Sequence, residues 1–443
     1  MKITVSNSPH EQAAFAIVRK LKKEGHKAYW VGGCIRNKLL NFPSEDIDIA
    51  TDAPPEKVLS LFPKTISVGA KFGVVIVVQG NIRCEVATFR RDGSYLDHRH
   101  PSKVHFSDPQ KDASRRDFTI NALFWDPATG KLLDYTGGEK DIKKGIIRCI
   151  GKPEDRFQED ALRLLRAVRF SARFGFRIET KTWNAIKNLC DLIHSISPDR
   201  IREELIKIFT GPGRGVALDI LEQSGLLESI LPEVQNLKGV AQPEAFHPEG
   251  DCFEHTKLAM EWLDNPTPTL AMGCLFHDIG KPPTFEISDR IRFNGHTKVG
   301  ELLADKICKR LKFSNAYRKA ITDLVKRHMH FLSVRDMKIS TLKKFLSHTN
   351  IEEDLELHRA DCMASHGDIS NYVFCKEKLK ELKSHSNGII PPPVVSGRDL
   401  IEMGYAPGPL FKKILDQVQE LQLEGRIQTK KQAVSFIKKE FPL

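Results

Sequence analysis

The residues best suited to chemistry in this chain of 443 residues are Gly32-Gly33, the pair Asp46-Ile47-Asp48 and the run Arg115-Arg116-Asp117. A glycine pair lets backbone N–H groups approach a phosphate, and this one follows a strand-like stretch and precedes a helix start. Arg36 lies one helical turn on, within reach of a triphosphate. Asp46 and Asp48 alternate with Ile47 and Ile49, so a strand here buries the isoleucines and presents both carboxylates on one face. Such a pair suits two-metal phosphoryl chemistry: one ion activates an attacking hydroxyl, the other holds a triphosphate and its leaving pyrophosphate. A lone acidic strand end in water has the same pattern. Glu85, mid-strand in an apolar stretch, is a third carboxylate for the pair or an exposed residue of an edge strand. Arg115 and Arg116 can hold phosphates, and Asp117 can accept a ribose hydroxyl. A helix-capping cluster would also explain Asp117.

These residues need elements to position them. Residues 28–150 read as an α/β block. Ala28–Val31 and Gly73–Val78 are β-rich, and Arg83–Phe89 pairs with the latter across a turn at Gly80-Asn81. Pro54–Phe62 reads as a short helix. After Gly151 the pattern turns helical. Arg156–Phe174 carries Phe157, Ala161, Leu164, Leu165 and Val168 at helical spacing. Further helices are expected over Lys181–Ile196 and Pro198–Phe209, the second with Ser197 as a cap and Pro198 at its first position. Ser386–Ser396, with Pro391–Pro393, reads as a linker before a basic helical tail. The expected division is a head over 1–150, a helical neck over 151–240, a metal-binding helical domain over 241–385, and linker and tail over 386–443.

The length is too great for one core. The formal charge of +11 favours a polyanionic partner. No apolar run reaches the roughly 18 residues of a membrane span, so no membrane partner is expected. The N-terminus lacks a signal-peptide core, and the nine cysteines form no CxxC pair, which together predict a cytoplasmic chain with reduced thiols.

The motifs, taken together, resemble the bacterial class II tRNA nucleotidyltransferases, the family of CCA-adding enzymes and poly(A) polymerases within the polymerase-β-like superfamily. The resemblance rests on Gly32–Asn37, Glu45–Asp52, Ser67–Gly73, Arg115–Asn121 and Glu159–Phe176. It implies an α+β fold: a nucleotidyltransferase head with a mixed sheet, followed by an all-α neck, body and HD-type helical domain. It implies Asp46, Asp48 and Glu85 as catalytic residues with two Mg²⁺ ions. Gly32, Gly33, Arg36, Arg116, Asp117 and Asn121 would hold nucleotide, with Arg166 and Arg169 near phosphate. The implied partners are tRNA, ATP and CTP, and the implied reaction is addition of CCA, or of its terminal A. Asn37 departs from the family, which usually has Asp there; Asn can keep a hydrogen bond. Arg90–Phe106 resembles the family's C-to-A switching loop, although a plain surface loop reads the same. Poly(A) polymerases usually carry an arginine-rich run where this chain has Val68–Gly73, which leans the sequence toward tRNA.

Glu159-Asp160-Ala161-Leu162-Arg163 resembles the family's amino-acid template for the base. On a helix, Asp160 and Arg163 are neighbours and Glu159 can brace the arginine. Asp160 accepts from the exocyclic amine of cytosine or adenine while Arg163 donates to the adjacent ring acceptor. Uracil and guanine mismatch both contacts. Ordinary helix ion pairing gives the same spacing.

Ten of the sixteen histidines lie between 245 and 385, so a second centre is expected there. His255, His277-Asp278, His296, His328 and Asp361 are six candidate ligands for a transition metal or for Mg²⁺/Mn²⁺. Their order resembles HD-family phosphohydrolases. Any one of these histidines alone reads equally as a capping or packing residue. An HD phosphohydrolase acting on RNA ends or nucleotides, with a non-catalytic head, is the alternative reading.

Overall fold

The computed structural model describes residues 3–44, 46–67, 73–92, 104–244, 247–384 and 389–443. Glu45, residues 68–72 of the Ser67–Gly73 motif, residues 93–103 of the expected switching loop and residues 386–388 of the linker lie outside them. The chain forms two compact units, Met1–Pro232 and Glu233–Leu443.

The first unit opens with helix α1 (Pro9–Lys23), started by its proline, and strand β1 (Ala28–Val31). Gly32 turns the chain directly into α2 (Gly33–Leu39). Strands β2 (Asp48–Thr51), β3 (Thr65–Ile66), β4 (Val74–Gln79), β5 (Ile82–Thr88), β6 (Leu123–Trp125) and β7 (Leu132–Asp134) complete a sheet with the order β3-β4-β5-β2-β1-β6-β7. Only β2 and β5 pair in parallel; the other neighbours are antiparallel, so the sheet is mixed. The β4–β5 hairpin turns at Gly80-Asn81 as expected, with Gly80 at φ 64°. Val75 and Val77 are buried on one face of β4, while Trp30 and Trp125 pack edge-on at 5.1 Å between β1 and β6. Each such side chain contributes about 2–3 kcal/mol by leaving water.

The expected single helix over Arg156–Phe174 is two helices, α3 (Pro153–Glu159) and α4 (Leu162–Phe174). Asp160 breaks them: its backbone is extended (φ −149°, ψ 102°), and its carboxylate accepts from Leu162 N at 3.2 Å. A short polar side chain that bonds nearby backbone competes with the helix ladder in this way. Lys181–Ile196 divides likewise into a helix at Thr180–Asn188 and a 3₁₀ segment at Cys190–Ser195. Helix α5 (Pro198–Phe209) starts where expected, but Ser197 gives no side-chain cap; its hydroxyl turns to Asp199 at 3.1 Å.

The described residues of the second unit are mainly helical, with a two-stranded hairpin, Glu286–Ile287 with Ile291–Arg292, and an isolated bridge between Ala241 and Asp251. Asp251 caps α6 (Cys252–Trp262) through Phe253 N and Glu254 N, and Thr267 caps α7 (Pro268–Phe276), whose last seven residues are buried. Helices α8 (His296–Arg310) and α9 (Asn315–Arg327) pack on each other, and α10 (Ile351–Ala364) packs against α6. Three tail helices enclose a small core of their own around Leu400, Ile414, Val418 and Ile437. Among the described residues no helix is long and apolar enough to cross a membrane.

Candidate functional site

The sheet brings the predicted carboxylates to one place. Ile47 and Ile49 are buried while Asp46 and Asp48 are exposed, the alternation expected of a half-buried strand. Ile49 pairs with Val86, so Asp48 stands one step before that pair, beside Glu85 on the same face. Glu85 is exposed there, on an inner strand of the sheet and not an edge strand. Although Asp48 reaches solvent, the surrounding protein strips water from it, and Glu85 and Asp46 repel its charge. Arg116 opposes them, and the balance pushes the Asp48 carboxyl up to about 6. An all-oxygen donor set under mutual repulsion fits hard divalent cations.

Gly32 sits beside this face. Its φ of 73° suits glycine, and a Cβ here would stand 3.1 Å from Arg116 Nη1. Arg116 is held by Asp112, through Nε at 3.2 Å and Nη2 at 3.0 Å, and by the Asn121 carbonyl at 3.3 Å. Its guanidinium lies over the Phe124 ring. Arg115 bonds the other oxygen of Asp112. Asp112 was not among the sequence candidates; its position on a short helix, three and four residues before the arginines, was the available signal.

Arg36 points inward. It donates to Asn121 Oδ1 and to Asn37 Oδ1 and lies over the Phe170 and Phe174 rings at 4.9 and 4.7 Å. Burial, with Arg173 as a like charge, pulls its guanidinium down to about 9. Asn37 thus keeps a hydrogen bond, as acceptor. Asn121 Nδ2 donates to Asp117 Oδ1 at 3.0 Å, and Arg166 donates to Asp117 Oδ2 at 2.8 and 2.6 Å. Burial alone would raise the Asp117 carboxyl, but Arg166 and Asn121 hold it at about 2. Arg169 pairs with buried Glu204 at 2.7 Å. Arg36, Asn121, Asp117 and Arg166 therefore form one continuous chain from α2 to α4, buried up to Arg166, whose side chain is a third exposed.

At the α3–α4 break, Glu159 pairs with Arg163 at 2.7 Å. Arg163 also donates to the carbonyls of Arg156 and Arg115, at 2.9 and 3.2 Å. Asp160 receives Arg200 of α5 at 2.9 and 3.2 Å. Sequence reasoning missed Arg200, which lies forty positions along the chain and leaves no local signature.

In the second unit all six predicted ligands converge. His277, His296 and His328 each turn Nδ1 to the backbone carbonyl three residues back, at 2.7, 2.9 and 2.7 Å. These contacts fix Nδ1–H tautomers and leave Nε2 lone pairs facing the cluster. Two triads result: His255, His277 and Asp361, and Asp278, His296 and His328, each with ligand atoms within 4.8 Å of one another. Asp278 lies between them, with Oδ2 3.3 Å from His277 Nε2 and Oδ1 3.7 Å from His328 Nε2. Burial and His277 pull His328 down to about 3, so it is neutral at pH 7. Burial also disfavours the charged form of His255, but hydrogen bonds to Asp361 and Glu249 carry it up to about 9. This donor set fits one or two metal ions. Gly280 makes the arrangement possible, because a Cβ there would lie 2.0 Å from the His296 carbonyl oxygen. Above the cluster opens a cavity of about 530 Å³, with Lys281, Arg290, Arg292 and Phe293 among its lining residues.

Comparison with known proteins matches three segments of the chain. Residues 28–148 match the poly A polymerase head domain, residues 175–238 a probable RNA- and SrmB-binding site of polymerase A, and residues 252–349 the HD domain. The CCA-adding enzyme of Geobacillus thermodenitrificans is 45% identical over 219 residues, 49% of this chain and 54% of that protein. That of Bacillus subtilis is 45% identical over 218 residues, 49% of this chain and 55% of that protein. The chain thus spans about half the length of the curated relatives it matches. The fold extends further. The crystal structure of the Bacillus stearothermophilus CCA-adding enzyme in complex with CTP aligns with a TM-score of 0.75 and 28% identity over 98% of both chains. The Thermotoga maritima CCA-adding enzyme complexed with tRNA shares the fold, at TM-score 0.61 and 19% identity over 98% of this chain and 96% of that one. Residues 28–148 are thus similar to the poly A polymerase head domain, and a segment similar to the HD domain follows over residues 252–349.

Proposed function

We propose that this chain adds CCA, or its terminal A, to tRNA 3′ ends from CTP and ATP, releasing pyrophosphate. The observation that carries the reading is the carboxylate face, with Asp48 beside Glu85, Asp46 two residues before it, and Gly32 and Arg116 adjoining. In this reading Asp46 and Asp48 hold two Mg²⁺ ions, with Glu85 assisting. The ions would supply a lowered hydroxyl pKa and charge neutralisation on the triphosphate. Gly32, Gly33 and Arg116 face the phosphates, while Arg36, Asp117, Asn121, Arg166 and Arg169 keep that surface in place from beneath. Asp160 and Arg163 read the base, with Glu159 bracing the arginine. Arg200 would hold Asp160 until a base amine competes for it. The proposed division has the head over 1–150, the neck over 151–240, the HD-type domain over 241–385 and the tail over 386–443. Basic residues of the helical parts hold tRNA by its shape and backbone.

The test uses three tRNA transcripts, ending at the discriminator base, at C and at CC, with Mg²⁺ and CTP, ATP or both. Completion of all three to CCA and no further supports the full reading. One A added only to the CC transcript reduces it to an A-adding activity. A long A tail identifies a poly(A) polymerase, and no extension sinks the reading. Asp46→Asn with Asp48→Asn abolishes any of these products.

The histidine cluster favours a second reading alongside the first. His255, His277, Asp278, His296, His328 and Asp361 hold a transition metal, Mg²⁺ or Mn²⁺, which supplies an activated water for phosphate-ester hydrolysis. Hydrolysis of RNA ends or nucleotides that survives Asp46→Asn/Asp48→Asn but not Asp278→Ala supports it.

A further inference from the structure

One segment beside the histidine cluster lies outside the residues matched by the HD domain, which begin at 252. Residues 239–244 and 247–251 are tied together through Gln242 N to the Gly250 carbonyl (2.9 Å), Gly250 N to the His247 carbonyl (3.0 Å) and Cys252 N to the Val240 carbonyl (3.0 Å). This strap delivers Gln242 to Lys281 Nζ at 2.5 Å and Glu249 to His255. Glu249 Oε1 accepts from His255 Nδ1 at 2.6 Å and from His247 Nδ1 at 2.9 Å.

The contact sets His255 apart. The other three histidines use the carbonyl three residues back. The corresponding carbonyl for His255, that of Cys252, accepts the Thr256 hydroxyl at 2.9 Å, and Nδ1 turns to Glu249 instead. Glu249 is nearly inaccessible, and its Oε2 is buried with no hydrogen-bond partner among the described residues. A buried carboxylate with a spare oxygen is unfavourable unless positive charge stands nearby. A cation bound at Nε2, on the far side of the imidazole, would supply that charge.

We propose that Glu249 is the positioning residue of one half of this metal centre. It holds His255 with Nε2 aimed at an ion shared with His277 and Asp361. The proposal rests on the metal reading of the cluster. It is selective, because none of Asp278, His296 and His328 bonds Glu249. A carboxylate behind a ligating histidine orients the ring and raises its basicity, and its loss weakens metal binding by about 10–100-fold.

The experiment uses the full chain with Asp46→Asn and Asp48→Asn, so that the head holds no ion. After chelation, Mn²⁺ binding is followed through the electron paramagnetic resonance signal of the free ion. Two ions are expected to bind with Glu249 intact. Glu249→Ala should weaken one by about 10–100-fold and leave the other unchanged. Glu249→Gln, which keeps an acceptor for Nδ1, should lose less. Should Glu249→Ala fail to fold by circular dichroism in chelator, the Gln variant carries the comparison. Unchanged binding in the folded variants, or equal weakening of both ions, overturns the proposal while leaving the metal reading intact. No Mn²⁺ binding with Glu249 intact, and none restored by Zn²⁺ or Co²⁺, overturns the metal reading and the proposal with it.

Discussion

Asp117→Asn should destabilise the first unit by about 2.5 kcal/mol at pH 7. The carboxyl titrates at about 2 in the folded chain against an ordinary 3.8. At about 1.4 kcal/mol per pH unit, that difference gives the stated magnitude. The sign is that of a depressed acid: its stabilisation is complete above about pH 4 and is lost as pH falls toward 2. Asparagine preserves the shape and can still accept one bond from Arg166, so the loss should fall below the 3–5 kcal/mol typical of a broken buried pair. A Trp262→Phe background isolates the readout, because the remaining tryptophans, Trp30, Trp125 and Trp183, all lie within Met1–Pro232. Urea unfolding followed by their emission, at pH 7 and at steps down to pH 3, gives the difference directly. A loss below about 1 kcal/mol at pH 7, or a gap that does not narrow on acidification, would refute the pairing argument.

Gly280→Ala puts a Cβ against backbone that cannot swing aside, so the second unit should lose more than about 3 kcal/mol, seen as a fall in its melting temperature. Gly32→Ala should impose about 1–2 kcal/mol of left-handed backbone strain and displace Arg116. Its mark is a nucleotide incorporation rate that falls much further than stability does. Arg200→Ala removes two of the three hydrogen bonds that hold the Asp160 carboxylate, and the ratio of CTP to UTP incorporation should drop at least tenfold. An unchanged ratio would leave Arg200 with a packing role only.

Alternation made the carboxylate face legible: a period of two forces Asp46 and Asp48 to the side opposite Ile47 and Ile49, whatever the rest of the chain does. The convergence of the six residues of the histidine cluster was legible through residue type and order, since few other roles gather imidazoles and carboxylates in that sequence. What escaped reading depends on distant partners. Arg36 reads as a phosphate contact because it lies one helical turn beyond Gly32-Gly33, whereas in the fold its guanidinium lies over Phe170 and Phe174. The helix break at Asp160 was invisible because apolar spacing continues across it, while Arg200 and Leu162 N settle the carboxylate. Glu249 lies in an aperiodic strap, where neither helical nor strand spacing singles out a residue.

The chain of Arg36, Asn121, Asp117 and Arg166 also constrains descent. Each member bonds another member, so replacing one of the three buried residues leaves a neighbouring charge or amide short of a partner. A lineage moving from this arrangement to a different one must cross intermediates less stable than either end. The four positions should therefore drift as a set or not at all, and chimeras that take α2 and α4 from different parents should fold only when the parents share all four residues.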